Sequence, residues 1–122
     1  MASIFLMEDN EALRRVLVRT LADEGHEVTQ SENGSAAYDD DLLNSIDIMI
    51  TDLVMPRVDG LEAINTAKVM RKDLKVIAMS GGSAEFNQDY LKVALAFGAS
   101  NVLQKPFEPE ALVNAVNETL VP

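Results

Sequence analysis

Polar residues follow four of the five short apolar runs in this sequence, each where the run ends. They are Glu8 and Asp9 after the first run, Asp52 after the third, Ser80 after the fourth and Lys105 after the last. Removing a carboxylate from water is costly, so an acid at the tip of a buried run is usually paired, metal-bound or placed at a site. We therefore take these residues as the candidate functional residues.

The chemistry that these residue types favour is uptake of a phosphoryl group with the help of a divalent cation. Carboxylates such as Glu8, Asp9 and Asp52 repel one another by about 4 kcal/mol per pair at about 4 Å and an effective dielectric constant of about 20. Mg²⁺ relieves such repulsion, because it binds one or two carboxylates together with waters and a phosphate oxygen. Asp52 would be the nucleophile, since carboxylates attack phosphorus to give aspartyl phosphates. Lys105 would neutralise the transferring group, and Ser80 would donate its hydroxyl to a phosphoryl oxygen.

The elements that must position these residues are the strands of one sheet. Five strands alternate with five segments of helical period, and we predict the strands at Ser3 to Met7, His26 to Ser31, Ile46 to Thr51, Leu74 to Met79 and Asn101 to Gln104. The alternation predicts an α/β fold with a doubly wound, five-stranded parallel sheet and five helices on both faces. The carboxyl ends of parallel strands share one edge, so the candidate residues should meet there.

Helix boundaries follow from capping residues and from glycine and proline. Asn10 is the predicted cap of the first helix, and Gly25 ends it. The remaining predictions are a weak helix from Ser35 to Asn44, a helix from Leu61 to Arg71, a helix that ends near Gly98, and a last helix with Pro109 in its first turn. Asp59 and Gly60 read as a turn and helix start, and His26 as an exposed strand residue.

Length and charge limit the classes of protein to be considered. The 122 residues fit one domain, and the 20 acidic against 10 basic residues give a net charge of −10, which disfavours binding to nucleic acid or to an anionic membrane. The chain has no cysteine, so it has no disulfide and no thiolate zinc site. Glu8 and Asp9 interrupt the apolar opening too early for a signal peptide or a membrane span, so we expect a cytoplasmic protein.

Four segments together resemble the response-regulator receiver domain of two-component signalling, along essentially the whole chain. They are "IFLMEDNE" with its acidic pair, "DIMITDLVMPRVDGLE" with Asp52, "VIAMSG" with Ser80, and "GASNVLQKPF" with Lys105. Each segment alone is a weak signal, whereas all four in order, each at a strand end, are highly specific. The resemblance predicts a receiver domain of the single-domain type over residues 1–122, with no output domain. It also implies the flavodoxin-like strand order 2-1-3-4-5.

The resemblance also implies roles for these residues. Asp52 would accept a phosphoryl group from a histidine kinase or a phosphotransfer protein, with Lys105 as the phosphate partner and Ser80 as the switch hydroxyl. Asp9, Asp52 and the backbone carbonyl of Val54 would bind Mg²⁺, and Glu8 would help through water. The Lys105–Pro106 peptide bond would be cis.

The expected output is a protein contact. The family places it on the face made by the fourth helix, the last strand and the last helix. An unknown downstream protein would be the partner of this non-enzymatic switch, which would be a monomer or a weak homodimer. Phe86 and Tyr90 are the candidates for a partner-facing patch.

The sequence departs from the family at two positions. Val102 replaces an aromatic residue whose rotation usually accompanies the movement of the serine, and Gly81 replaces a residue that is commonly alanine. Val102 keeps one alternative open, a receiver-like module that binds partners without phosphorylation. A flavin-binding module is disfavoured because Glu8 and Asp9 would repel a flavin phosphate. A phosphohydrolase is disfavoured because the position two residues after Asp52 is a valine.

Overall fold

Five parallel strands form one sheet in the order β2-β1-β3-β4-β5, which confirms the predicted topology. The structure is a computed structural model and describes residues 1–35, 39–53, 60–81 and 92–121. The strands are β1 (Ser3–Met7), β2 (Glu27–Ser31), β3 (Ile48–Asp52), β4 (Lys75–Ser80) and β5 (Asn101–Gln104). All four neighbouring strand pairs are parallel.

The helices lie between the strands as the alternation predicts. They are α1 (Glu11–Asp23), α2 (Asp40–Ser45), α3 (Gly60–Met70), the helical residues 92–96 (α4) and α5 (Pro109–Leu120). The Asn10 side chain caps α1 by accepting from the Leu13 amide, and Gly25 and Gly98 have the positive φ values of 90° and 112° that favour glycine after a helix. The predicted caps are therefore confirmed.

Several predicted boundaries in the amino-terminal half were wrong, among them the start of β3, which is Ile48 rather than Ile46. The second helix begins at Asp40 rather than Ser35, because Asp39 caps it by accepting from the Leu42 amide. His26 precedes β2 instead of belonging to it, and it is half-buried instead of exposed. Its Nδ1 accepts the Ala2 N–H at 3.0 Å, so this side chain supports the start of β1.

The two strands that end in candidate residues, β3 and β4, both begin and end later in the chain than predicted. Asp52 pairs with Met79, and Ser80 pairs with Gln104, so the parallel ladder includes both candidate residues. They are the last residues of β3 and β4 rather than the first residues of loops. Their backbones are consequently held by the sheet.

Each face of the sheet packs against its own group of helices. On one face, Phe5, Met49 and Val76 lie in a buried cluster with residues of α2, α3 and α4. On the other, Ile4 and Ile50 lie in a cluster with residues of α1 and α5. Alternate residues of a strand point to opposite faces, so the central strands must be apolar throughout.

The burial of the strands follows their order in the sheet. All five residues of β3, the central strand, are buried, whereas β2 at one edge has the polar sequence EVTQS and is largely exposed. None of the helices in the described ranges has the length and apolar content that a membrane crossing requires.

Gly60 allows α3 to start against the end of β3. A Cβ at this position would lie 2.0 Å from the Asp52 backbone oxygen and 2.5 Å from the Leu53 Cα, both far inside contact distance. The Gly60 amide donates to the Leu53 carbonyl at 2.9 Å. The backbone that carries Asp52 is thus held from one side by β4 and from another by the first residue of α3.

We expect Gly60→Ala to lower the free energy of unfolding by about 3 kcal/mol, because the added methyl group overlaps backbone atoms that cannot rotate away. Gly81→Ala is the matched control. Its Cβ would meet the flexible Lys105 side chain at 3.2 Å, so we expect a change of less than about 1 kcal/mol. Urea unfolding followed by far-ultraviolet circular dichroism measures both variants. Equal stability of the two variants would contradict the role of Gly60.

Candidate functional site

Lys105 joins two of the candidate acids at the carboxyl edge of the sheet. Its Nζ donates to Glu8 Oε1 at 2.5 Å and to Asp52 Oδ2 at 2.7 Å. Glu8 follows β1, Asp52 ends β3 and Lys105 follows β5, so the ends of three strands far apart in sequence supply these two contacts. The structure therefore confirms that these residues converge, as the strand-end argument predicts.

Glu8 is fully buried, although it is an acid. One carboxylate oxygen, Oε1, accepts from Lys105, and the other, Oε2, accepts the Asn10 N–H at 3.0 Å. The Glu8 amide donates to the carbonyl of Ser31, the last residue of β2. These contacts offset part of the cost of removing the Glu8 carboxylate from water.

Asp9 completes an acidic cluster with Glu8 and Asp52. Each of the three offers a carboxylate oxygen, and these oxygens all lie within 4.8 Å of one another. Asp9 is exposed while the other two are buried, so the cluster has one side open to solvent. This set of hard oxygen donors suits Mg²⁺, which binds carboxylates and retains several waters. Val54, the predicted backbone ligand, lies outside the described residues.

Ser80 and Gly81 bring the end of β4 against Lys105. The Lys105 amide donates to the Ser80 carbonyl at 2.7 Å, and Ser80 is only 2% exposed. The position of a Gly81 Cβ lies 3.2 Å from Lys105 Cδ, so the glycine leaves room for the lysine stem. The Lys105–Pro106 peptide bond is cis, as the resemblance predicts.

We call the site formed by Glu8, Asp9, Asp52 and Lys105 the pocket. The pKa values of Glu8 and Lys105 in it reflect both burial and ion pairs. Burial raises the pKa of Glu8 above its ordinary value of 4.5, and the charge of Asp52 acts in the same direction, against the hydrogen bonds from Lys105 and Asn10. Burial alone would lower the pKa of Lys105, but its hydrogen bonds to Asp52 and Glu8, with their charges, raise that pKa above 10.5. The lysine is therefore held in its charged form.

Gly60 and Arg14 contact the candidate residues, and the sequence did not predict either contact. Gly60 packs on the Asp52 backbone, whereas the sequence predicts only a turn and a helix start at Asp59-Gly60. The helix does start at Gly60, and Asp59 itself lies outside the described residues. Arg14 donates from Nη1 to the Glu8 backbone carbonyl at 2.8 Å. No spacing rule indicates this second contact, because it joins a helix side chain to a carbonyl in the preceding turn. Phe86 and Tyr90, the predicted partner-facing residues, also lie outside the described residues.

The family model of the response regulator receiver domain matches residues 4–117. This chain belongs to that family. It is 35% identical to the response regulator receiver protein CpdR of Brucella abortus, over 99% of this chain and 98% of CpdR. It is 37% identical to the DNA-binding transcriptional regulator NtrC of Azospirillum brasilense, over 98% of this chain but 24% of NtrC. A receiver domain structure from Clostridium thermocellum matches with a TM-score of 0.88 and 25% identity, over 98% of this chain and 94% of that chain.

Membership of the family connects the pocket with signalling. Receiver domains are signalling modules of response regulators and bind Mg²⁺ at an acidic site. In this receiver domain the acidic cluster of Glu8, Asp9 and Asp52 has the composition of such a site. The coarse prediction of a two-component response regulator is therefore confirmed.

The raised pKa of Glu8 predicts how stability depends on pH in the absence of divalent cations. The carboxyl ionises at lower pH in the unfolded chain than in the folded chain, so ionisation favours unfolding. The free energy of unfolding of the wild type, relative to that of Glu8→Gln, should therefore be highest below about pH 4.5 and should fall as the pH rises through the higher folded pKa.

Urea unfolding with a chelator present, between about pH 4 and about pH 8, measures this difference. Glu11→Gln is the control, because Glu11 is exposed on α1 and pairs with Arg15 outside the pocket. A wild-type stability that rises relative to Glu8→Gln over this range would contradict the prediction.

Proposed function

We propose that this receiver domain is a phosphoacceptor, in which Asp52 takes a phosphoryl group from a histidine kinase or a phosphotransfer protein. The observation that carries the proposal is the contact of 2.7 Å between Lys105 Nζ and Asp52 Oδ2 beside two further carboxylates. A carboxylate at the carboxyl end of a parallel strand, with a cation directly beside it, is suited to attack an electrophilic phosphorus. The family membership of the chain supports the same function.

In the proposed reaction, an oxygen of Asp52 forms a bond to phosphorus while the bond between phosphorus and the donor nitrogen breaks. Lys105 orients the attacking carboxylate and then donates to a phosphoryl oxygen. Ser80, at the end of the adjacent strand, would donate its hydroxyl to another. Glu8, Asp9 and Asp52, with the carbonyl of Val54, would hold Mg²⁺, which when bound neutralises charge on the phosphoryl oxygens.

Phosphorylation would change the balance of charge around Lys105. In the unphosphorylated chain the lysine divides its hydrogen bonds between Glu8 and Asp52. A phosphoryl group would add negative charge at Asp52. The Lys105 amide donates to the Ser80 carbonyl, so a shift of the lysine that includes its backbone would also move the ends of β4 and β5. We propose that this shift alters the face made by α4, β5 and α5, and so the affinity for a downstream protein.

Val102 affects how this switch would operate. It is half-buried on β5 and pairs with Ala78 of β4. It packs against the buried cluster that contains residues of α2, α3 and α4. A valine has no ring that could rotate between two positions. The proposed switch therefore depends on Ser80 and Lys105, without an aromatic rotation at position 102.

Incubation with a small phosphodonor and Mg²⁺ should add one phosphate per chain, released by hydroxylamine as an acyl phosphate is. Asp52→Asn should abolish this labelling, because an amide oxygen is a poor nucleophile. Asp41→Asn is the control, since Asp41 is exposed on α2. Intact-protein mass spectrometry measures the label. Labelling that persists in Asp52→Asn, or a wild type that takes no label, would refute the proposal.

Lys105→Met should slow phosphorylation of Asp52 by about 100-fold, because it removes a positioned donor for charge that develops in the transition state. Its matched control is Lys92→Met, which removes an exposed lysine from α4. Stopped-flow or quench-flow measurement of labelling with the same phosphodonor compares the two variants with the wild type. A rate for Lys105→Met within a factor of about two of the wild type would assign no catalytic role to the lysine.

A further inference from the structure

Arg14 is a second positively charged residue beside the acidic cluster of Glu8, Asp9 and Asp52. It contacts the backbone of the Glu8–Asp9 turn rather than a carboxylate. Its Nη1 donates to the Glu8 carbonyl at 2.8 Å, and its Nε donates to Gln30 Oε1 at 3.0 Å. Arg14 belongs to the first turns of α1, while Gln30 belongs to β2. The guanidinium therefore connects the start of a helix, the edge strand and the turn between β1 and α1.

The contact with Arg14 completes the polar contacts of Glu8. The Glu8 amide donates to the Ser31 carbonyl, and its carboxylate oxygens accept from Asn10 and Lys105. The backbone carbonyl accepts from Arg14. Every polar atom of this fully buried residue thus has a partner, and Arg14 supplies the contact that links the Glu8 peptide to the side of α1.

We propose that Arg14 is a positioning residue, which fixes the Glu8–Asp9 turn so that both carboxylates are held toward Asp52. Gln30 orients the guanidinium by accepting from Nε. A planar guanidinium can donate in two fixed directions at once, which an ammonium group on a flexible stem does not reproduce. The inference rests on the proposed function, because the property that Arg14 controls is the affinity of the acidic cluster for Mg²⁺.

The positioning role predicts a sign opposite to that of a purely electrostatic role. A positive charge near a cation site repels the incoming cation, so deleting the charge of Arg14 would by itself strengthen Mg²⁺ binding. Loss of positioning would weaken Mg²⁺ binding instead, since groups that orient metal ligands typically contribute about 10-fold or more to metal affinity. The direction of the change therefore separates the two roles.

The experiment is a calorimetric titration of the full chain with MgCl₂. We expect Arg14→Met to raise the Kd for Mg²⁺ by about 10-fold. Arg14→Lys should recover part of the loss, because it restores one donor. Gln30→Ala should raise the Kd in the same direction without any change of charge. Arg15→Met is the matched control: it removes the neighbouring positive charge, which is exposed and pairs with Glu11, and its Kd should stay within about twofold of the wild type.

A second measurement, made in the absence of metal, reports on the conformation of the Glu8–Asp9 turn. The Asn10 amide donates to Glu8 Oε2, so its resonance in a ¹H–¹⁵N spectrum depends on the position of that carboxylate. This resonance should move in Arg14→Met and Gln30→Ala and stay unchanged in Arg15→Met. A role of Arg14 in stability alone would lower the melting temperature and leave the Kd of the folded variant unchanged.

Each outcome of the titration has one meaning. A wild type that binds no Mg²⁺ would refute the metal site of the proposed function itself. A wild type that binds Mg²⁺, with Arg14→Met binding equally well or more tightly, would overturn only the role of Arg14. If Arg14→Met fails to fold, Gln30→Ala decides: a raised Kd supports the inference, and an unchanged Kd overturns it.

Discussion

The repulsion among Glu8, Asp9 and Asp52 is the constraint around which the rest of the site is built. Their carboxylate oxygens lie within 4.8 Å of one another, and two of the three residues are buried. Like charges at this separation in a partly buried site are costly, so a counter-charge is required. Lys105 supplies it by donating to both buried acids at once, with its own side chain only 19% exposed. The charged lysine and the clustered acids therefore depend on each other.

The sheet makes this arrangement possible, because parallel strands end along one edge. The acids and the lysine come from the ends of β1, β3 and β5, whose backbones are fixed by the ladder and by the apolar clusters on its two faces. Two glycines allow close packing around the site. Gly60 lets the start of α3 pack against the Asp52 backbone, and Gly81 leaves space for the aliphatic part of the Lys105 side chain. Rigid strands thus hold the polar groups, which is a suitable basis for a site that must bind a small, highly charged group.

Most of the fold was predictable, because the signals for it are local and repeated. The apolar runs predict five strands, and the Asn10 cap, Gly25, Gly98 and Pro109 each specify a helix boundary through short-range physics. The structure confirms the five strands and these helix boundaries. One prediction failed through a local contact, because the Asp39 cap starts the second helix at Asp40, and others failed where a distant contact decided the boundary. His26 was predicted in the second strand but lies just before it, and its ring accepts from the Ala2 amide, 24 residues away in sequence. β3 and β4 extended through Asp52 and Ser80 because a neighbouring strand was available to pair with each.

The sequence by itself determined which polar residues stand at the strand ends, and therefore that Glu8, Asp9, Asp52 and Lys105 would share one edge of a parallel sheet. Only the tertiary structure decided how they are paired: that Lys105 bridges Glu8 and Asp52, and that Glu8 is fully buried while Asp9 faces solvent. Strand alternation is a local property of the chain. Hydrogen bonds and burial depend on distances between residues up to 97 positions apart, which appear only when the sheet has formed.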